Sequence, residues 1–505
     1  MKEKRKTKEF NYKEEVVPLE QKDIYSNIEE NFEYFQHSFN YSSDLKKREI
    51  NYNGKNGIIL YLETVVDTEK LKTDILTPLT TKKNIPLELL ISSAELKKTN
   101  NLNQAVSKIL YGMSIVFIEN ENQVYMLNSS KIIERSPEEP TNEKIVRGSH
   151  EGFIENINTN LFLIRKRIVN RQLTIRYMEL GEESNTKLAL VYMEGLADSS
   201  VVKEVERRLS FASSDMLFSP GYIEEFIEDN PFSPFPHTLY TERPDRAMSH
   251  LMEGRVIIFA DGSADVIIVP VTFFVFLQSP DDFNTRVYTG SFFRLLRLIS
   301  FFISLTFPAL YIAIIGFHFE VIPNDIIVLV KGSVEGIPFP PLIEALIMVF
   351  TIELIREAGV RLPTPIGQTI GIVGGLILGD AVINAGLISN FMVIIIAITA
   401  VASFTIPSYE LSSTVRLLTF PLMVAASTLG LLGIVIVIMF IVAHLCMLES
   451  FGKPYFAPIA PLDISALKDT FVRFPIWQLN KRSRDLNPKK ILRQHDTRGW
   501  DNQNE

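Results

Sequence analysis

Between Phe292 and Leu448 the chain carries a succession of apolar runs, and two of them, Leu298–Phe317 and Ile394–Ile406, hold no charged residue at all. About 20 apolar residues in helical form cross a hydrocarbon core of about 30 Å, where backbone polar groups must be satisfied inside the segment itself. This stretch is therefore expected to be a polytopic α-helical transmembrane domain of about five or six segments. Arg294 and Arg297 precede the first run, and positive residues stay on the cytoplasmic side, so that helix should run from inside to outside, with a kink at Pro308. Leu342–Ile355 is shorter and holds Glu344 and Glu353. It reads as a second span or as a re-entrant helix facing protein or water, because lipid-facing carboxylates are costly. Gly367–Leu387 and Met392–Ile406 follow as further spans. As one helix Thr414–Leu448 would run about 50 Å and overshoot the bilayer, so it either extends into water or folds back near Thr428–Gly433. The basic Lys481-Arg482-Ser483-Arg484 and Lys489-Lys490 belong on the cytoplasmic side by the same charge rule, which favours an even number of crossings and the hairpin.

Ahead of this half the composition turns to Lys, Glu, Asp and Asn. Residues 1–50 read as a polar tail, disordered or loosely helical. Residues 51–135 read as a first cytoplasmic α/β subdomain: Gly57–Leu62 and Ile115–Ile118 are strand-like, and Leu87–Ala105 between them is more helical. Ser136-Pro137-Glu138-Glu139-Pro140 breaks both periodicities and makes 136–146 a linker. In 147–291, a second α/β subdomain, Asn156–Arg171 and Ser200–Ala212 have amphipathic helical spacing and Leu188–Tyr192 is a strand. Asp261-Gly262-Ser263 between two apolar runs is a hairpin signal, since Asp-Gly suits a tight turn. Residues 449–505 form a basic cytoplasmic tail. A net charge of −8 argues against nucleic acid, which needs concentrated Lys and Arg. The single cysteine, Cys446, removes intrachain disulfides and multi-cysteine metal sites. With no enzyme signature in the chain, neither catalysis nor a cofactor or metal is expected.

The apolar half holds several polar constellations. Gly367, Gly371, Gly375 and Gly379 recur at four-residue spacing, a ridge that admits close helix approach either within the chain or at a seam between subunits. Asp380 and Asn384 lie one turn apart after it, facing a cavity, partner or ion path, or forming a hydrogen-bonded pair at the span's end. Glu353, Arg356 and Glu357 have the spacing of an ion-paired helical face. Glu344 is half a turn out of phase with Glu353, so at most one of the two lines a pore. One such carboxylate from each of several subunits would make a negative ring that attracts cations.

Arg147-Gly148-Ser149-His150-Glu151-Gly152-Phe153 resembles the R-G-x-x-E-G-F signature of the GerA spore germination family, in its A-subunit branch. Thr241-Glu242-Arg243-Pro244-Asp245-Arg246, Glu253-Gly254-Arg255, Ser279-Pro280-Asp281-Asp282, Glu353–Gly359, Arg361-Leu362-Pro363 and Gly371–Gly374 follow in the family's order, from about Arg147 to Phe451. Ala264 stands where relatives commonly carry proline. The resemblance implies the A subunit of a nutrient germinant receptor, multi-pass in the inner membrane of a bacterial endospore, with its N-terminal domain and C-terminal tail on the cytoplasmic (spore core) side. It also implies a transporter-like B subunit and a lipoprotein C subunit as partners, and a homo-oligomer, a pentamer, that opens as a channel for monovalent cations when a nutrient binds. A non-conducting scaffold and a secondary transporter are the alternatives, although no inverted repeat of the kind transporters use is apparent.

Overall fold

The computed structural model describes residues 22–81, 96–131, 139–140, 143–212, 214–216, 219–362, 375 and 379–494. Two compact units emerge: the described residues within Met1–Pro137, Asn156–Met178 and Ala189–Glu194, and those within Glu138–Glu155, Glu179–Leu188 and Gly195–Glu505.

The first unit is built on an antiparallel sheet of order β1-β2-β4-β5-β3, with β1 Leu45–Tyr52, β2 Lys55–Leu62, β3 Leu96–Thr99, β4 Met113–Ile118 and β5 Val124–Asn128. Every residue of β4 is buried, as its run of Ile, Val and Phe requires of a central strand. Helices α1 Ile28–Ser38, α2 Leu102–Ile109 and α3 Ile157–Arg167 complete the unit, the last two capped by the side chains of Asn101 and Asn156. Two expectations change here. Residues 22–50 are ordered, because Phe35 and Phe39 on α1 are fully buried and Phe35 packs edge-on against Phe117 at 5.8 Å. Leu96–Thr99 pairs with β5 as a strand instead of extending a helix, with its two lysines exposed. Below the sheet Asp44, fully buried, accepts from Arg165 Nε and Nη2 at 3.1 and 3.0 Å and from Ser42 and Thr64. A buried carboxylate persists only when paired in this way.

Strands β6 Leu173–Leu180 and β7 Thr186–Met193 carry residues of both units. The second unit then adds α4 Ser199–Phe211, α5 Pro220–Ile227, β8 Leu239–Thr241, α6 Pro244–Glu253, β9 Val256–Ala260 and β10 Val266–Val269. β10 pairs antiparallel with both β8 and β9, and the β9–β10 turn holds Gly262 at φ +86°.

The apolar helices are α7 Val287–Phe317, α8 Asn324–Val334, α9 Pro341–Arg361, α10 Asn390–Phe404, α11 Tyr409–Leu429 and α12 Leu431–Met447. Among the described residues α7 alone is both long and apolar enough to cross a membrane, and α10 and α12 are shorter apolar helices. The segment Thr414–Leu448 breaks at Gly430, whose φ of +62° ends α11. Its two ends meet one loop: Thr414 Oγ1 donates to the Pro234 carbonyl at 2.5 Å, and Ser233 Oγ lies 3.0 Å from His444 Nε2. The chain therefore folds back as a hairpin. Most of Gly367–Leu387 falls outside the described residues, Gly367 and Gly371 included.

The segment after α12 is no loose tail. Tyr455 is fully buried and donates from its hydroxyl to the Pro236 carbonyl at 2.7 Å. Lys453 pairs with Asp198 at 2.7 Å, and Arg482 donates to the Met252 carbonyl at 2.7 Å. Apolar residues between α12 and the basic clusters supply the packing: Phe274 stacks on Phe456 at 5.5 Å and meets Phe471 edge-on at 5.4 Å.

Candidate functional site

Three polar constellations lie within the second unit. The first joins the two signature motifs. Pro244 opens α6 at its first turn, where its missing N–H costs nothing, and Arg243 precedes it as the cap residue with its side chain fully buried. Its Nη1 donates to the Glu143 carbonyl at 3.1 Å, and its Nη2 to the Ser149 carbonyl and Asp245 Oδ2, both at 2.8 Å. Phe153 N donates to the Glu242 carbonyl at 2.7 Å, and the Phe153 ring meets Phe259 edge-on at 5.4 Å. Glu143 closes the joint, accepting from Thr241 Oγ1 at 2.5 Å and pairing with Arg246. Gly148 sits at φ +139°, and a Cβ there would lie 2.6 Å from Ile145 Cδ1 and 2.8 Å from Asn284 Nδ2. That Asn284 amide donates to the Arg147 carbonyl at 2.7 Å. Glu151 is half-buried and Gly152 buried in the same segment. Arg147–Phe153 and Glu242–Arg246 thus form one interlocked structure, and its chemistry is that of a joint.

The second constellation sits at the foot of α7. Asp282, buried, accepts from Arg294 Nε at 3.2 Å and from Arg297 Nη1 and Nη2 at 3.0 and 2.5 Å. Arg294 also pairs with Asp469 at 2.8 Å, while Arg297 donates to the Leu277 carbonyl at 3.0 Å. The two arginines that precede the first apolar run are thus neutralised by the Ser279–Asp282 motif and by the C-terminal segment.

The third lies among the helices. Glu353 Oε1 accepts from Arg356 Nη1 at 3.0 Å and lies 3.4 Å from Arg416 Nε. Arg356 Nη2 donates to Ser403 Oγ at 3.1 Å, and Arg416 reaches Ser412 and Ser413 at 3.1 and 2.8 Å. Ser304 and Thr419 line the same small cavity. Glu357 is not in this cluster; it turns outward to Arg361 at 2.5 Å. Glu344, fully buried, instead accepts from Ser389 N at 2.8 Å at the start of α10, beside the Tyr311–Ser389 hydroxyl contact of 3.2 Å. The half-turn offset thus gives the two carboxylates separate partners. Asp380 and Asn384 are exposed, and a Cβ on Gly375 or Gly379 would meet nothing within 4 Å among the described residues. Arg416 was the residue to notice in the sequence, as the one charged side chain of Thr414–Leu448.

Beside the hairpin's loop, His237 Nδ1 lies 3.9 Å from Glu228 Oε2. Burial, then repulsion from Glu224, Glu225 and Asp229, pushes the Glu228 carboxyl up to about 7, and burial pushes His237 below its usual range.

The family model described as "Bacillus/Clostridium GerA spore germination protein" matches residues 33–485. Among curated relatives, "Spore germination protein A1" of Bacillus subtilis is 37% identical over 94% of this chain and 99% of its own. "Spore germination protein GerLA" of Bacillus cereus is 40% identical over 80% and 82%, and "Uncharacterized membrane protein YfkQ" of Bacillus subtilis 38% over 93% of each. Of solved structures, the N-terminal domain of the A subunit of the Bacillus megaterium spore germinant receptor GerK3 aligns over 50% of this chain and 98% of its own, at 27% identity and a TM-score of 0.40. A model match over most of the chain, with relatives at this identity and coverage, makes the chain a member of the GerA family of spore germination proteins.

Proposed function

We propose that this protein is the A subunit of a spore nutrient germinant receptor and that it works without catalysis, as a multi-pass subunit of an oligomeric, nutrient-gated channel for monovalent cations in the inner spore membrane. A transporter-like B subunit and a lipoprotein C subunit are its proposed partners. The observation that carries the reading is the outer face of the helices. Phe302, Phe350, Val401, Leu417, Val435, Met439 and Phe440 are all exposed on it, a surface that water tolerates poorly and that lipid or a second subunit would cover.

Topology supports the same reading. Residues before α7 and after α12 pack into one unit, so any crossings between them come in an even number with both flanks on one side; the positive residues flanking the apolar half support the spore-core side. For ion passage the carboxylates divide by their partners. Glu353 is held between two guanidiniums and Glu344 is enclosed, which leaves exposed Asp380 as the candidate for a negative ring, with Gly375 and Gly379 free for a neighbouring helix. Single-channel recording of the reconstituted three-subunit complex, with nutrient added and removed, tests the proposal. Nutrient-dependent cation conductance, reduced by Asp380→Asn at unchanged complex abundance, is the expected outcome. A silent bilayer with intact complex would favour the scaffold reading.

A further inference from the structure

A groove of about 730 Å³ runs along the foot of α7, within the second unit. Arg147, the first residue of the signature, and Arg286, which precedes α7, both line it. Both side chains are exposed, and neither guanidinium forms a hydrogen bond or ion pair with any described residue. Arg147 serves the joint through its carbonyl, which accepts from Asn284, and leaves its guanidinium unused. The other charges at the groove have partners. Arg297 and Arg294 share Asp282, and Arg294 also holds Asp469, so these four groups cancel. Arg473, bonded to the Thr285 carbonyl, adds one positive charge behind them. Nearby in sequence, Glu143 pairs with Arg246 and Glu139 with His150. Among the lining residues Asp281 is then the one carboxylate facing the two unpaired guanidiniums.

The groove also changes polarity along its length. Arg286, Thr289, Phe293 and Leu296 follow at three- and four-residue spacing on one face of α7. A cation is thus succeeded by a hydroxyl, then by a ring and an aliphatic side chain that are both exposed, and from Thr289 to Leu296 the helix rises about 10 Å. Thr405, where α10 ends, lines the groove too, which places it at the boundary between the apolar helices and the rest of the unit. We infer that this groove seats an anionic phospholipid, its phosphate bound by Arg147 and Arg286 and an acyl chain lying against Phe293 and Leu296. Guanidinium forks match phosphate oxygens in charge-assisted bonds, and basic residues beside a membrane attract anionic lipid. A small free anion would leave the apolar half of the groove against water, whereas a lipid of the same charge covers both halves. The inference rests on the membrane reading above.

The test uses the full-length protein in detergent, with bound lipid read by native mass spectrometry after titration with phosphatidylglycerol or phosphatidylcholine. Phosphatidylglycerol should bind about 25-fold more tightly, about fivefold for each arginine. Arg147→Gln and Arg286→Gln remove exposed charges that hold no described partner, so each should weaken phosphatidylglycerol about fivefold with the fold unchanged by circular dichroism, and together they should abolish the preference. Arg361→Gln, at an exposed arginine at the end of α9 that pairs with Glu357, should change nothing. Equal binding of the two lipids, or a preference that survives the double substitution, would overturn the site. An equal loss in Arg361→Gln would overturn it as well, in favour of diffuse attraction. Glycerol phosphate competing as well as phosphatidylglycerol would remove the lipid as occupant, and Arg286→Gln shifting the oligomer mass with bound lipid unchanged would give the groove to a second copy. Failure of the membrane reading looks different: the wild type then retains neither lipid, whereas failure of the site alone leaves lipid bound without preference.

Discussion

Asp282 is the point at which the segment before α7 grips that helix, and its removal gives a calculable loss. In Asp282→Ala the Arg294 and Arg297 guanidiniums, both nearly out of solvent, lose a shared carboxylate. Breaking a buried pair from one side costs about 3–5 kcal/mol, because the remaining charge stays desolvated. Here Arg294 keeps Asp469 and Arg297 keeps the Leu277 carbonyl, so the lower end, about 3 kcal/mol, is expected. That is a large fraction of a typical stability of about 5–15 kcal/mol. Asp282→Asn preserves shape and one acceptor and should cost about half as much. Urea denaturation of the full-length protein in detergent, followed by tryptophan fluorescence, reads both values. Adding Arg297→Met to Asp282→Ala should recover part of the loss, since one orphaned charge disappears with it. An Asp282→Ala variant within about 0.5 kcal/mol of wild type, or strict additivity with Arg297→Met, would refute this account of the joint.

The α11–α12 hairpin predicts a second outcome. A Cβ on Gly433 would lie 2.2 Å from the Ala425 carbonyl oxygen, and backbone cannot give way there, so Gly433→Ala should sharply lower the amount of intact protein on immunoblots. Gly316→Ala, which faces open space, should not. Third, the Glu228 carboxyl lies above its ordinary value, up to about 7 from 4.5, so the fold prefers its protonated form. The corresponding stability is complete below pH 4.5 and is lost as pH rises through about 7. Glu228→Gln should flatten the stability profile across that window and exceed wild type above it; an unchanged slope in urea denaturation at a series of pH values would count against this assignment.

What could be read from the residues alone followed from local periodicity. The uncharged runs placed the apolar helices, Asp261-Gly262 placed a hairpin, and Ile157–Arg167 and Ser199–Phe211 took the helical form that their spacing requires. The order of motifs from Arg147 onward pointed to the right family. Partnerships between distant residues left no such trace. Phe35 and Phe39 sit in a polar segment, and only the sheet they cover explains their burial. Leu96–Thr99 is a strand because β5 offers it an edge, a fact that its own four residues do not encode. Arg416 could be seen as an isolated charge, but its pairing with Glu353 crosses from one helix to another. The basic C-terminal clusters obscured the buried Tyr455 between them and the helices.

The way Tyr455, Phe456, Asp469 and Arg482 complete the second unit also sets a schedule for its synthesis. Phe273 and Phe274 leave the ribosome long before the aromatic residues that cover them, and Arg294 long before Asp469. At about 5–20 residues per second, the roughly 200 residues from one flank to the other impose a wait of about 10–40 s. Throughout that interval the part of the second unit made before α7 exposes an uncovered aromatic face. A chain stopped just after Met447 would hold all six apolar helices described above and still lack the residues that cover Phe273, Phe274 and Arg294, so closure waits on segments made well after the last of those helices.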